Sequence, residues 1–169
     1  MALRLNPLDI VRCRFPEGHP HGDPTVPSNE LHRVLVVRTT QDADGSQWAL
    51  VVFGTGQNTT NKGGQPCSFN QMEIDALPGT GLTTQTRFHF DKNVGIKVDD
   101  AWFPADSAGL ARGHVPQLQK PEALRMIDQH LPLQISASPK LAKPGPVQVE
   151  IKKKFSMANL RPKLPPSDS

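Results

Sequence analysis

The sequence predicts a mainly β domain, an α+β chain built as a small open barrel or rolled sheet with one late helix. Seventeen prolines and thirteen glycines among 169 residues indicate many turns and short elements. Hydrophobic residues make up 36% of the chain, which is enough for one modest core. Short segments of alternating apolar and polar residues recur along the chain, and only one late segment has helical periodicity.

The N-terminal part of the sequence predicts two strands around a long loop. Leu8–Phe15 is the first strand, because its apolar side chains alternate with polar ones. Pro16–Leu31 holds four prolines and two glycines, and we expect this long loop to be a lid or a binding loop. His32–Thr39 is the second strand, and its apolar run Val34–Val37 is typical of a strand buried on both faces.

The next segments predict a hairpin and a series of further strands. Asp44-Gly45 is a hairpin-turn signal, and Gln47–Phe53 is its nearly all-apolar partner strand. Gly54–Pro66 is polar and predicts a loop. The remaining strands are predicted, in chain order, at Ser68–Ile74, Thr83–Phe90 and Val94–Val98.

A single helix is predicted near residues 119–131. Leu124, Ile127 and Leu131 recur at helical spacing and predict its buried face. Pro121 lies near the start of the segment, where its missing N–H group does not disturb a helix.

Beyond the helix the composition changes, so we expect residues 1–131 to form the barrel domain and residues 132–169 to form an extension. The extension is basic and rich in proline, and we expect it to be partly disordered or docked. Residues 131–169 contain seven basic residues against two acidic ones, whereas residues 1–130 contain 12 basic and 14 acidic. The positive balance of the chain therefore lies in its tail.

Several classes of protein are not expected. No apolar run approaches the ~18 residues of a membrane span, and no signal-peptide core opens the chain, so we expect a cytoplasmic protein without membrane contact. Two cysteines give no disulfide framework, and we expect Cys13 and Cys67 to be buried or half-buried thiols. His19, His21 and Asp23 are too few to hold a metal, and no motif for a cofactor is present, so neither is expected.

Three segments, taken in order, carry a resemblance to a known family. They are Asp9–Pro16 (DIVRCRFP), His32–Val37 (HRVLVV) after a polar loop, and Val51–Gln57 (VVFGTGQ). In this order and spacing the chain resembles the MazF/PemK-type toxins of bacterial toxin–antitoxin modules, over roughly residues 6–130. Further matches to the family pattern are Gly81-Leu82, Thr86-Arg87-Phe88, Trp102-Phe103 and Pro116.

The resemblance implies a fold, an activity and partners. The fold is a small SH3-like open β-barrel with short helices, usually a homodimer. The activity is metal-independent cleavage of single-stranded RNA, in which the ribose 2′-OH attacks the adjacent phosphate, and the partner is an inhibitory antitoxin-like protein. Such a reaction needs a base for the 2′-OH and positive charge or donors for the phosphorane.

The resemblance also points to catalytic residues. Thr55 matches the family threonine and Gln57, an RNA-binding candidate, matches its glutamine. The family arginine falls on His32 when the segments are aligned without a gap, and on Arg33 when one residue is deleted. Adjacent strand residues face opposite sides, so only one of the two can face Thr55.

Three arginines are further RNA-binding candidates. Arg12 and Arg14 share one face of the first strand, where they can follow phosphates. Arg87 stands where the family has a lysine near bound RNA. The altered arginine position leaves an alternative function open, a catalytically degenerate MazF-like protein that binds nucleic acid or an antitoxin-like partner. A third hypothesis is an adaptor that binds through its proline-rich tail.

Overall fold

The computed structural model describes residues 3–16, 26–104 and 112–132 of the chain. Within these residues, six antiparallel strands form one sheet that curls into a half-barrel, with one short helix beside it. The prediction of a mainly β fold is confirmed. Neither that helix nor the short helical turns of the described segments are long and apolar enough to cross a membrane.

Strands, one helix and two short 3-10 turns make up the regular elements of the described residues. In chain order the strands and the helix are β1 (Asp9–Cys13), β2 (His32–Gln41), β3 (Gln47–Thr55), β4 (Gln71–Ile74), β5 (Thr86–Lys97), β6 (Gly113–His114) and α1 (Lys120–His130). The two short 3-10 turns lie at Thr60–Lys62 and Gln117–Gln119. The order of the strands across the sheet is β4-β5-β3-β2-β1-β6, so β2 and β3 lie in the middle and β4 and β6 form the edges.

The predicted hairpin joins β2 to β3. Gly45 adopts a φ of 91°, which a residue with a side chain rarely takes, and donates its N–H to the Asp42 carbonyl at 3.0 Å. The Asp44 carboxylate accepts the N–H of Ser46 at 2.9 Å, and the N–H of Asp42 binds the Ser46 carbonyl at 2.8 Å. These bonds close the turn and set the register of the two central strands.

Both faces of the sheet are covered, as the apolar run in β2 predicts. We name the face that packs against α1 the helix face, and the face that packs against Trp102 the Trp102 face. Leu35 and Val37 belong to the cluster on the helix face, whereas Val34 and Val36 belong to the cluster on the Trp102 face. The alternation of side chains along a strand distributes one apolar run between two cores.

The two strands predicted at 83–90 and 94–98 are halves of a single strand, β5. Its register against β3 breaks between Val52, which pairs with Asn93, and Phe53, which pairs with His89. Residues 90–92 therefore bulge away from β3, and the buried Asn93 side chain donates to the Phe90 carbonyl at 2.9 Å across the bulge. The polar residues in the bulge interrupt the alternation, which is why the sequence pattern predicts two strands.

The predicted apolar face of the helix is partly wrong. Ile127 and Leu131 are buried, but Leu124 is 51% exposed, and the other buried positions of α1 are Ala123 and Met126. The buried residues of α1 follow the i, i+3, i+4 spacing of one helical stripe. Leu124 follows Ala123 directly, so its side chain is rotated by about 100° around the helix axis and lies outside the stripe.

The other sequence predictions have mixed outcomes. Cys13 is buried as predicted, and burial raises the pKa of its thiol. The prediction for Cys67 is wrong: this residue is exposed, because it lies in the polar loop before β4. Gly54 and Thr55 belong to β3 rather than to the following loop. Residues 17–25 of the long loop and residues 133–169 of the C-terminal extension lie outside the described residues.

The position of α1 predicts a contrast between two of its apolar residues. Met126→Ala should lower the free energy of unfolding by about 2–4 kcal/mol, because Met126 is 2% exposed and its truncation leaves a cavity on the helix face. Leu124→Ala, the matched control, should cost less than about 1 kcal/mol. Denaturant unfolding of both variants measures the difference, and equal losses would contradict this placement of the helix.

Candidate functional site at the ends of strands β2 and β3

An aromatic side chain marks one end of the Trp102 face. Phe53 is half-buried, and its ring centroid lies 5.3 Å from that of Phe15, 5.3 Å from that of His32 and 6.2 Å from that of His89. The Lys92 ammonium lies 5.3 Å from the centroid of the same ring, within the range of a cation–π contact. Two imidazoles and one cation therefore surround a single ring, and we name this group the Phe53 platform.

The register of β2 and β3 decides which residue faces Thr55. Arg33 pairs with Gly54 in this register, so His32, one residue earlier, lies opposite Thr55, one residue later. Side chains opposite each other in an antiparallel pair share a face. His32 and Thr55 therefore share the Trp102 face at the ends of their strands, whereas Arg33 faces the other way.

The hydroxyl of Thr55 is held by a turn of the backbone. Its Oγ1 accepts the N–H of Gln57 at 3.1 Å, which leaves the hydroxyl proton to donate elsewhere. Gln57 itself is exposed. Thr55 thus offers a hydrogen-bond donor at the end of β3, on the same face as two histidines.

His89 is the residue that sequence reasoning missed. Its Nδ1 lies 3.3 Å from the Gln71 side-chain nitrogen, so Nδ1 accepts and the neutral ring carries its proton on Nε2. Burial and, secondarily, the charge of Lys92 lower the pKa of His89. The alternation along β5 places His89 on the face opposite Phe88, but only the pairing with Phe53 shows that it lies near His32.

Arg87, predicted to contact RNA, is occupied by the protein itself. Its side chain is 8% exposed; Nη2 lies 2.6 Å from Glu73 Oε2 and also donates to the Gln65 carbonyl. Glu73 in turn accepts the N–H and the hydroxyl of Thr60 at 2.9 and 2.6 Å. Burial alone would raise the pKa of Glu73, but the bonds from Thr60 and Arg87 lower it. Arg87 therefore fastens the loop after β3 to the sheet.

The remaining predicted residues lie on the helix face. Arg12 pairs with Arg33 across β1 and β2, and the alternation along the chain places Arg14 on the same side as Arg12. Arg33 Nη2 donates to the Thr83 hydroxyl at 2.7 Å. A Cβ at Gly54, the partner of Arg33 on β3, would come within 2.6 Å of the Phe88 ring, so a larger residue here would force that buried ring to move.

The described residues contain no group of three or more His, Cys, Asp or Glu side chains placed to hold a metal ion. The histidines at 19 and 21 and the aspartate at 23 lie outside the described residues. The Phe53 platform supplies two imidazoles and an ammonium group, and Thr55 beside it supplies a hydroxyl.

Comparisons of the chain with protein-family models, with curated proteins and with solved structures found no match.

The geometry of the Phe53 platform predicts that the positive charge of Lys92 lowers the pKa of His89. Lys92→Gln should raise the pKa of His89, because it removes the largest of the charges that lower it. The pKa is measured by following the ring protons of His89 by NMR as pH is varied. Lys97→Gln, at the far end of β5, is the control and should leave the titration unchanged. A His89 pKa that is identical in Lys92→Gln and in the parent would contradict the arrangement.

The lowered pKa also predicts a dependence of stability on pH. Folding lowers the pKa of His89 from 6.5, so the folded chain binds fewer protons than the unfolded chain below that pH. The contribution of His89 to stability is therefore present above about pH 6.5 and declines as pH falls through its folded pKa. His89→Gln should flatten this part of the curve of unfolding free energy against pH; an unchanged slope would argue against the assignment.

Proposed function

We propose that this chain is a MazF/PemK-like endoribonuclease that cleaves single-stranded RNA without a metal ion. The observation that carries the proposal is that His32 and Thr55 lie opposite each other at the ends of β2 and β3, beside His89. The ungapped alignment with the family puts His32 at the position of the family arginine, and Thr55 stands at that of the family threonine. Of the two alignments, the ungapped one agrees with the register of β2 and β3, in which Arg33 faces away from Thr55.

The chemistry divides among the side chains of this face. Imidazole is suited to accept a proton near neutral pH, so His32 takes the proton of the ribose 2′-OH, whose oxygen attacks the phosphorus. The Thr55 hydroxyl donates to a non-bridging oxygen, and the Lys92 ammonium stabilises the developing negative charge. The Nε2–H of His89 donates a hydrogen bond to the leaving 5′ oxygen, which takes its proton from water, and the hydroxide that remains takes back the proton that His32 accepted. The products are a 2′,3′-cyclic phosphate and a 5′-hydroxyl end.

The aromatic ring in the middle gives the base a place to bind. Phe53 is half-buried between His32 and His89, with Lys92 over its ring, so a nucleobase can pack against this aromatic cluster. In this proposal the protein works in the cytoplasm as a homodimer, and an antitoxin-like protein inhibits it by covering the Phe53 platform.

A second candidate function follows from one departure from the family. On the face of the sheet that carries Thr55, His32 stands at the position of the family arginine. Neither nearby arginine replaces the missing charge, because Arg33 faces the other way and Arg87 is paired with Glu73. A catalytically degenerate protein that binds nucleic acid or an antitoxin-like partner on the same platform is consistent with this loss of a fixed cation.

Cleavage of labelled single-stranded RNA in EDTA tests the proposal. The parent should cleave, and Thr55→Ala and His32→Ala should each lower the single-turnover rate by about 100-fold, as expected for the loss of one acid–base or electrostatic group. Thr40→Ala and His130→Ala are the matched controls for residue type, and both should cleave at the parent rate.

The outcomes separate the two candidate functions. If Thr55→Ala and His32→Ala cleave as fast as the parent, the assigned catalytic pair is wrong. If the parent binds the RNA at this face and cleaves nothing, the degenerate binding protein is the correct function.

A further inference from the structure

Two arginines face each other on the helix face, beside the strand ends that carry the proposed catalytic pair. Arg12 on β1 is the direct cross-strand partner of Arg33 on β2. Like charges directly opposite each other in an antiparallel pair are destabilising. Within the described part of the chain, no ion pair contains either arginine, so no carboxylate there neutralises them.

The surroundings of Arg33 leave its donors incompletely used. Nη2 donates to the Thr83 hydroxyl at 2.7 Å, but Nε is buried and has no hydrogen-bond partner. Burial and the nearby charge of Arg12 lower the pKa of Arg33. The lowered pKa means that the charged form of Arg33 is destabilised where two guanidinium groups lie together without an anion. A bound anion would neutralise the pair and accept N–H groups of Arg12, whose side chain makes no hydrogen bond among the described residues.

The position of the pair indicates what the anion belongs to. His32 and Arg33 are consecutive and face opposite sides of the sheet, at the point where β2 begins and β3 ends. A flexible polyanion that crosses this end of the sheet meets the Phe53 platform on one face and the arginine pair on the other. Guanidinium groups match the tetrahedral oxygens of a phosphodiester and bind them in pairs.

We propose that Arg12 and Arg33 together hold one phosphodiester group of a single-stranded RNA whose neighbouring phosphate lies at His32 and Thr55. The assignment of the ligand as RNA rests on the proposed function, whereas the binding of a phosphodiester does not require cleavage. The arginine pair acts as a positioning site, because it sets which phosphate of a bound strand reaches the Phe53 platform.

The test measures binding of a fluorescein-labelled 2′-O-methyl RNA oligonucleotide, which cannot be cleaved because its 2′ oxygen is blocked. Affinity is measured by anisotropy at several NaCl concentrations. One phosphate contact on a single strand contributes about 0.7 to the slope of log affinity against log salt. The double variant Arg12→Gln/Arg33→Gln should therefore lose about 0.7 of the slope, since the two side chains share one phosphate.

Two further variants sharpen the result. Arg4→Gln/Arg125→Gln removes two exposed arginines elsewhere and should keep the parent slope. Arg33→Lys keeps the charge but loses the planar fork, so it should keep the slope and weaken binding at every salt concentration. Thermal unfolding without RNA checks that the variants fold. If the double variant does not fold, Arg12→Gln, whose side chain makes no hydrogen bond among the described residues, replaces it; because Arg33 still holds the phosphate, this variant should weaken binding at every salt concentration relative to the Arg4/Arg125 control, and equal affinity would contradict the site.

Each outcome decides the matter. An unchanged slope in the double variant would overturn the proposal, and so would an equal loss of slope in the Arg4/Arg125 control. A loss near 1.4 would show that the two arginines contact two separate phosphates instead of one. If the parent cleaves ordinary RNA while the double variant keeps its slope, the positioning site is wrong and the nuclease stands. If the slope falls but the parent cleaves nothing, the site stands and the nuclease is wrong. A parent that does not bind the oligonucleotide refutes the positioning site, and one that in addition does not cleave ordinary RNA refutes both.

Discussion

The pairing of β2 with β3 is the constraint on which the rest of the structure depends. Val34 lies opposite Phe53 and Leu35 opposite Val52, so each face of these two strands carries apolar side chains into a separate core. A shift of one residue would exchange the two faces and place side chains of the wrong shape in both cores. Burial on both sides therefore fixes the register, and the register decides which polar residues face each other at the strand ends.

The candidate site is a consequence of this register together with the bulge in β5. The bulge re-aligns β5 so that His89 lies opposite Phe53 and Lys92 lies above the Phe53 ring. Bulges commonly redirect side chains at the ends of sheets and beside functional sites. The buried Asn93 satisfies the Phe90 carbonyl that the bulge would otherwise leave unpaired, so the irregular backbone is tolerated next to the core.

In the described part of the chain, some charged side chains form ion pairs that hold segments together, and others lie at the strand ends of the candidate site. Asp9 is fully buried and accepts from Arg112, 103 positions along the chain, at 2.8 Å, which attaches the segment before β6 to the start of β1. Arg87 and Glu73 form a second structural pair that holds the loop after β3. Buried pairs of this kind are destabilised strongly when one partner is removed, because the other charge remains in the core. The exposed and half-buried charges at the strand ends carry the proposed functions instead.

The sequence alone predicts where β1, β2 and β3 begin to within one residue, that β2 is buried on both faces, that a turn joins β2 to β3, and that Arg87 and His89 share a face opposite Phe88. It places the starts of β4 and β5 three residues too early and does not predict β6. The correct predictions follow from local patterns, because alternation and turn residues act over a few positions. The three-dimensional packing was needed to show that His32 rather than Arg33 faces Thr55, that His89 lies beside them, and that Leu124 lies on the outside of α1. Each of these depends on the register between strands or on the rotation of a helix against a sheet. Such relations arise from packing between residues far apart in the chain, so no pattern within one segment contains them.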